Sequence, residues 1–286
     1  MSIFSKQKSL WGLKAYISPQ NHLVSQSAFS AGGEASVGRQ GGSIVIPGSP
    51  DVVAIFDDFL GHIGDTGAVK GWEFVNGDAD TGATGSIGHV SATNGVMRVN
   101  FTGTALNTPA AAIGFTGGLM KNWKANQKNL RFQARVKIPS LASVNAFIGF
   151  SDSGGAEMPA YDTGGGVITN AADAVGWMYS NLGGSTNWRG VSARSVAGDS
   201  GDQTINDTGG LGPTANVYDV LEIRFGSDSG DYADFYRNGL FVNRINQPVD
   251  KAVAMTPGVW LFGSDTGTIQ VDTDYINVSA NRDTGT

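Results

Sequence analysis

The nine residues from Leu130 to Ile138 alternate apolar and polar side chains without a break. The apolar positions are Leu130, Phe132, Ala134, Val136 and Ile138. Successive side chains of a β-strand point to opposite faces, whereas a helix needs apolar residues three or four positions apart. This segment therefore predicts a β-strand with one face in a core, and Pro139 ends it.

The same two-residue rhythm recurs along the chain, and glycine-rich turns separate the segments. Asn238-Gly239 lies between two such segments and predicts a hairpin, because a type I′ turn needs positive φ at both central residues. Gly supplies 42 of the 286 residues, which suits many tight turns and disfavours helices. At least ten strands with no convincing helix between them predict an all-β fold, an antiparallel β-sandwich.

The composition changes near residues 47–50, which read Pro-Gly-Ser-Pro. We predict an irregular, extended N-terminal arm over residues 1–50 and a β-sandwich domain over residues 51–286. Four basic residues and one acidic residue give the arm a charge of +3. Because the whole chain has a net charge of −6, residues 51–286 carry −9. A cationic arm favours docking on an acidic surface, and the alternative is that its lysines only keep the terminus soluble.

Several classes of protein are disfavoured by what the sequence lacks. Cysteine is absent, which excludes disulfides, thiolate metal sites and cysteine nucleophiles. We find neither a secretory signal pattern nor an apolar run approaching the ~20 residues that cross a bilayer, so no membrane association is expected. The acidic body would repel phosphates, so no nucleic-acid partner is expected for it.

Segments in the second half of the chain resemble the concanavalin A-like lectin/glucanase jelly roll. They are residues 132–138, 218–225, 233–242 and 274–278. The likeness extends over roughly residues 90–280 and implies a jelly-roll sandwich. The chain also resembles tailed-phage virion structural proteins of the capsid-decoration, head or fibre type, because it combines an irregular arm with a cysteine-free body rich in Gly, Ser, Thr and Asn.

This second resemblance implies a non-enzymatic virion protein, assembled in the host cytoplasm, that decorates or stabilises a capsid through its arm. The arm residues expected to be buried on the major capsid protein, another virion protein or a second copy are Phe4, Trp11, Leu13 and Tyr16. A homotrimer is expected from the way such proteins usually assemble. The alternative is a lectin-like receptor-binding or tail-fibre module that binds surface glycans.

Three aromatic residues are candidates for glycan binding, namely Trp177, Tyr179 and Trp188. Aromatic rings stack on sugars, but Trp177 and Tyr179 also alternate as buried strand residues do. For calcium, the weak candidates are Asp228 and Asp231, in an oxygen-rich loop of the ligand type that hard cations prefer. Short Asp/Gly loops are also plain turns, so otherwise no cofactor is expected.

Glycoside hydrolysis generally needs two carboxylates about 5–9.5 Å apart. Glucanases of the suspected fold often place them as Glu-x-Asp-x-x-Glu on one strand, and no such run occurs here. Asp272 and Asp274 share a strand face near Glu222 and are interpreted as solvated, outward-facing carboxylates. The three histidines lack metal-ligand spacing, and no serine-nucleophile elbow or phosphate-binding loop is present. The sequence therefore predicts that the protein is not an enzyme.

Overall fold

The computed structural model describes residues 52–59, 72–76, 84–90, 95–103, 112–117, 123–153, 158–162, 167–181, 186–196, 199–200, 203–204, 212–226, 230–263 and 267–281. The proposed arm and its four anchoring residues, Phe4, Trp11, Leu13 and Tyr16, lie outside these ranges, so the division at residue 50 stays a prediction. In this part of the chain no helix has the length and apolarity that crossing a bilayer requires.

The described residues form eighteen strands. They are β1 (Val52–Asp57), β2 (Glu73–Asn76), β3 (Thr84–Val90), β4 (Val96–Gly103), β5 (Ile113–Thr116), β6 (Arg131–Lys137), β7 (Val144–Ser151), β8 (Ala160–Asp162), β9 (Val167–Thr169), β10 (Asp173–Ser180), β11 (Arg189–Val196), β12 (Asp199–Ser200), β13 (Gln203–Thr204), β14 (Tyr218–Phe225), β15 (Tyr232–Arg237), β16 (Leu240–Asn246), β17 (Thr256–Gly263) and β18 (Gly267–Asn281).

Sixteen of these strands form two eight-stranded antiparallel sheets. Sheet 1 has the order β16-β15-β14-β6-β18-β4-β3, with β1 also paired to β18. Sheet 2 has the order β12-β11-β10-β7-β17-β5-β2, with β13 also paired to β11. The remaining two strands, β8 and β9, form a separate hairpin. The predicted antiparallel sandwich is therefore confirmed, and neighbours in each sheet are often distant in sequence, as in a jelly roll.

The core lies between the two sheets, where their apolar faces meet. Strand β6 alternates between half-buried and buried residues, as its sequence predicts. From it, Phe132 packs edge-on against Phe150 of sheet 2, with ring centroids 5.4 Å apart. Trp177 of sheet 2 packs against Phe235 of sheet 1 at 5.3 Å. Edge-to-face pairs of this kind stabilise by about 0.5–1.5 kcal/mol beyond their buried area.

The predicted turn between β15 and β16 is also confirmed. Asn238 has φ 51° and Gly239 has φ 80°, the positive values that a type I′ turn requires. The backbone N–H of Asn238 donates to the Val220 carbonyl, and its side-chain oxygen accepts the Val220 N–H, both at 2.8 Å. The turn is therefore fastened to β14 as well as to its own strands.

A buried carboxylate, Asp219, joins this turn to sheet 2. Its oxygens accept hydrogen bonds from Trp188 Nε1 at 2.9 Å, from Arg237 Nε at 2.9 Å and from Asn238 Nδ2 at 3.0 Å. All three donors would lose their acceptor if the carboxylate were removed. Breaking such a buried pair leaves an uncompensated charge, which costs more than the pair itself contributes.

We predict that Asp219→Ala lowers the free energy of unfolding by about 3 kcal/mol, because Arg237 and the Trp188 indole lose their acceptor. The matched variant Asp219→Asn keeps one acceptor oxygen and should lose clearly less. Urea unfolding followed by tryptophan fluorescence measures both values. Equal losses in the two variants would show that the cluster does not stabilise the fold in this way.

Asp173 begins β10 and is buried beside two further carboxylates, Asp152 and Asp250. Burial raises the pKa of Asp173, and the two neighbouring carboxylates raise it further. The backbone N–H of Asp250 donates to Asp173 Oδ1 at 2.6 Å and opposes this shift. A carboxylic acid with a raised pKa holds its proton longer in the folded state than in the unfolded chain.

This difference makes folding stability depend on pH. Because the folded-state pKa lies above the ordinary value near 3.8, the native state binds more protons between the two values. The contribution of Asp173 is therefore complete below pH 3.8 and is lost as pH rises through the folded-state pKa. We predict that Asp173→Asn, which keeps the acceptor for Asp250, raises the melting temperature more at pH 7 than at pH 4. A constant difference across thermal scans from pH 4 to 7 would contradict the assignment.

Candidate functional site

The three aromatic residues proposed to bind glycans lie inside the molecule. Trp177 Nε1 donates to the Glu222 carbonyl at 3.1 Å, and the Tyr179 hydroxyl donates to the Leu141 carbonyl at 3.3 Å. Trp188 packs on Tyr179 and donates to Asp219. All three are nearly inaccessible to solvent. None is placed to stack on a sugar in this structure, and their surroundings are those of the core alternative.

The calcium candidates receive no structural support. Asp231 is exposed and forms an ion pair with Lys251, and Asp228 lies outside the described residues. In the described part of the chain, no group of three or more His, Cys, Asp or Glu side chains could hold a metal ion.

The carboxylates expected to be solvated on sheet 1 face outward but are not solvated. Asp272 is 0% exposed beneath Arg98 and Lys137, at 2.5 and 3.2 Å. Glu222 is nearly as buried, and Asp274 pairs with Arg135 at 2.5 Å. The solvated interpretation is therefore wrong, because long cationic side chains cover these groups. The hydrogen bond to Asp272 raises the pKa of Arg98, so this guanidinium stays charged over the physiological range.

The outer face of sheet 2 is unusual because it too is buried. Strands β7, β10 and β17 are buried at every position, on both faces. On the outer face, Phe147 and Trp260 are cross-strand partners whose rings lie 5.7 Å apart. A Cβ on Gly176 would lie 2.5 Å from Phe147 Cζ, and one on Gly258 would lie 2.8 Å from Trp260 Cη2. The glycines thus leave room for the two rings, which are inclined at 65° to each other, and we call this pair of rings the aromatic floor.

Hydrogen-bonding groups without partners lie on this floor. Asn145 is 0% exposed, and neither its side-chain oxygen nor its side-chain nitrogen finds a partner among the described residues. The indole N–H of Trp260 likewise lacks an acceptor there. More than about 90% of buried polar groups in proteins are hydrogen-bonded, and leaving one unpaired costs about 1–3 kcal/mol. These groups are polar positions, unpaired within the described ranges, beside the aromatic floor.

The β8–β9 hairpin packs on part of this face. The Asp162 carboxylate pairs with Arg189 of β11 at 2.7 Å, and the Ser180 hydroxyl donates to the Asp162 carbonyl at 3.5 Å. Tyr161 packs its ring on Phe262 of β17 with centroids 6.2 Å apart. Burial raises the pKa of the Tyr161 hydroxyl, which therefore stays protonated. We call the set Asn145, Phe147, Trp260, Asp162 and Arg189 the covered site.

The covered site has the chemistry of a sugar-binding surface. Aromatic faces can pack on the C–H faces of a pyranose ring, and amide, indole and guanidinium groups can bond its hydroxyls. Asp162 is the carboxylate among these five residues, and it forms an ion pair with Arg189. A carboxylate held by an arginine in this way can act as a base, a nucleophile or a stabiliser of positive charge.

The sequence analysis did not single out the covered site. The one available signal was Asn145, a polar residue in the strand Val144–Ser151, whose other residues before Ser151 are apolar or Gly. The partners that surround it come from β10, β11, β17 and the β8–β9 hairpin, and nothing local indicates how they meet.

No family model matches the chain, and no curated protein matches it either. Several solved structures, however, resemble this chain in fold. A glycoside hydrolase family 16 endo-glucanase from Bacteroides ovatus has a TM-score of 0.52 at 10% identity, over 78% of this chain and 98% of that one. A Bacteroides ovatus family 16 protein from a mixed-linkage glucan locus, in complex with a product, has a TM-score of 0.51 with the same identity and coverage. A Shewanella oneidensis protein of unknown function covers 84% of this chain and 90% of its own at 13% identity, with a TM-score of 0.48.

At these identities the likeness shows the fold, a jelly-roll sandwich shared with family 16 glycoside hydrolases. It also contradicts the prediction that the chain is not an enzyme, because the two structures above, which share the fold with TM-scores of 0.51 and 0.52, are themselves glycoside hydrolases. The missing Glu-x-Asp-x-x-Glu run was the main ground for that prediction, and a jelly roll of this kind can position carboxylates from separate elements.

Proposed function

We propose that this protein is directed at glycans and that it holds a sugar chain at the covered site on the outer face of sheet 2. The observation that carries the proposal is Asn145, whose amide has unused donors and an unused acceptor beside the aromatic floor of Phe147 and Trp260. Sugars combine hydroxyl groups with apolar ring faces, and this combination matches both parts of the site.

Access to the covered site requires the β8–β9 hairpin to move. The hairpin is held by the Asp162–Arg189 pair and by the contact of Tyr161 with Phe262. A ligand that binds only the open form has its apparent affinity reduced by the fraction of molecules that are open. Weakening the hairpin contacts should therefore strengthen glycan binding.

Hydrolysis of the bound glycan is the second candidate, favoured by the fold shared with glucanases. Asp162 is the carboxylate of the covered site, where it pairs with Arg189. Retaining and inverting glycosidases both need a second carboxylic acid, about 5–9.5 Å from the first, to protonate the leaving group. Asp162 would then serve as the nucleophile or base of such a pair.

The virion assignment, its capsid partners, the homotrimer and the location in a virion all stay predictions. One observation is relevant to a partner protein. The large hydrophobic residues that are exposed in the described part of the chain are Val217, Leu240 and Phe241. They flank the start of β14 and the turn that leads into the edge strand β16. Leu240 and Phe241 are adjacent and exposed, and such an apolar site suits contact with another protein.

We predict that Asn145→Leu abolishes glycan binding while leaving the fold as stable as before or more stable by about 1 kcal/mol. The gain is expected because the substitution removes buried polar atoms that have no partner. Isothermal titration with laminarin and mixed-linkage glucan oligosaccharides measures the first effect, and urea unfolding measures the second.

Tyr161→Ala is the matched variant for the covering hairpin. It removes the contact with Phe262 without touching the covered site, so tighter glycan binding is expected. If the wild type, Asn145→Leu and Tyr161→Ala all fail to bind any of these glucans, the proposed site is wrong. A loss of stability in Asn145→Leu would instead assign the asparagine a purely structural role.

We predict that any glucan-hydrolysing activity falls at least about 100-fold in Asp162→Asn, as expected when an essential carboxylate is neutralised. Reducing-end assays on laminarin and mixed-linkage glucan give the turnover, and titration of the same variant gives the affinity. Retained binding with lost turnover identifies a catalytic carboxylate. Unchanged turnover would remove Asp162 from the reaction.

A further inference from the structure

The outer face of sheet 1 is positively charged although the whole chain has a net charge of −6. The ion pairs and strand registers place six cationic side chains on it: Arg98, Arg131, Arg135, Lys137, Arg224 and Arg244. They share four carboxylates: Glu222, Asp234, Asp272 and Asp274. Among these ten residues, the cations exceed the carboxylates by two.

In the ion pairs of this face, the carboxylates lie close to the sheet and the cationic groups lie nearer to the solvent. The side chain of Glu222 is 3% exposed, whereas that of its partner Arg224 is 44% exposed. The pair Asp234 and Arg244 has the same arrangement, with 12% and 44% exposed. A molecule approaching this face therefore meets guanidinium groups rather than carboxylates.

Three arginines form a row across neighbouring strands, which we call the arginine row. Arg131 of β6 lies directly opposite Arg224 of β14. Arg224 lies opposite Asp234 of β15, which in turn lies opposite Arg244 of β16. Like charges directly opposite each other destabilise a sheet, and here both Arg131 and Arg224 bind the single carboxylate of Glu222. The fold thus maintains a positive charge that its own residues do not neutralise.

Two of these arginines are held in fixed positions before any ligand arrives. The Arg224 guanidinium lies 4.0 Å from the centre of the Tyr236 ring, and that of Arg244 lies 3.6 Å from the centre of the Tyr232 ring. Each is also held by a carboxylate along one edge. A planar fork fixed in this way loses little side-chain entropy on binding an anion, and carboxylate and sulfate groups match its geometry.

We propose that the arginine row binds an acidic polysaccharide, a sugar chain that carries carboxylate or sulfate groups. The surface suits such a chain better than nucleic acid. Guanidinium groups cover the outward-facing rings of Tyr232 and Tyr236, which are therefore closed to stacking bases. The described strands of this face lie side by side in the sheet, without a helix that could enter a DNA groove. The row lies on the sheet opposite the covered site, so it forms a second, independent surface.

The test is a binding titration with alginate and heparin oligosaccharides at two ionic strengths. We expect the wild-type protein to bind one of them and to bind less tightly at higher salt, because exposed charges are screened. Arg224→Gln/Arg244→Gln should weaken binding at least about tenfold, the equivalent of about 1.4 kcal/mol. Arg224→Lys/Arg244→Lys keeps the charge but loses the fork, and it should give an intermediate affinity.

The matched control is Lys124→Gln/Lys128→Gln, which removes the same charge from two exposed lysines outside the arginine row and should change affinity less than about twofold. Far-ultraviolet dichroism and melting temperature confirm that each variant is folded. Three results would overturn the proposal: no binding of either polysaccharide by the wild type, an equal loss in the lysine control, or tighter binding of single-stranded DNA or polyglutamate than of either polysaccharide. Loss of neutral-glucan binding at the covered site would leave this result unaffected.

Discussion

The structure depends on aromatic packing between two sheets whose side chains alternate with a period of two. Phe150 of sheet 2 contacts both Phe132 and Phe225 of sheet 1, and Trp177 contacts Phe235. A shift of one residue in any strand would turn its apolar set outward. The core therefore fixes the register of every strand that contributes to it, and the register in turn decides which residues meet on the two outer faces.

Those two outer faces follow opposite physical rules. On sheet 1, polar groups stay near water and pair with one another: Gln133 accepts from the Tyr275 hydroxyl at 3.2 Å and donates to Glu222 at 3.4 Å. On sheet 2, the outer face is buried, and the β8–β9 hairpin packs on part of it. A polar residue placed there must find a partner from the protein or from a ligand. Asn145 finds none among the described residues, which makes it a better indicator of function than the many satisfied polar groups of sheet 1.

The sandwich could be predicted from the sequence because its cause is local. Alternation in residues 130–138 and the Asn238-Gly239 turn are each legible within about ten residues. The sites could not be predicted, because their causes are long-range. Asp272 meets Arg98 across 174 residues of sequence, and Arg135 meets Asp274 across 139. Sequence alternation identified Asp272 as facing outward, but whether it was solvated depended on arginines whose register only the folded sheet defines.

The same limitation explains why the sequence argument against enzymatic activity failed. That argument searched for two or three carboxylates on one strand, where alternation would hold them on a common face. In this fold the carboxylate of Asp162 reaches the outer face of sheet 2 from the separate β8–β9 hairpin, and Arg189 of β11 holds it there. A pattern confined to one strand neither detects nor excludes such an arrangement. For a jelly roll with added hairpins, the chemistry of a face must be read from all the elements that meet on it.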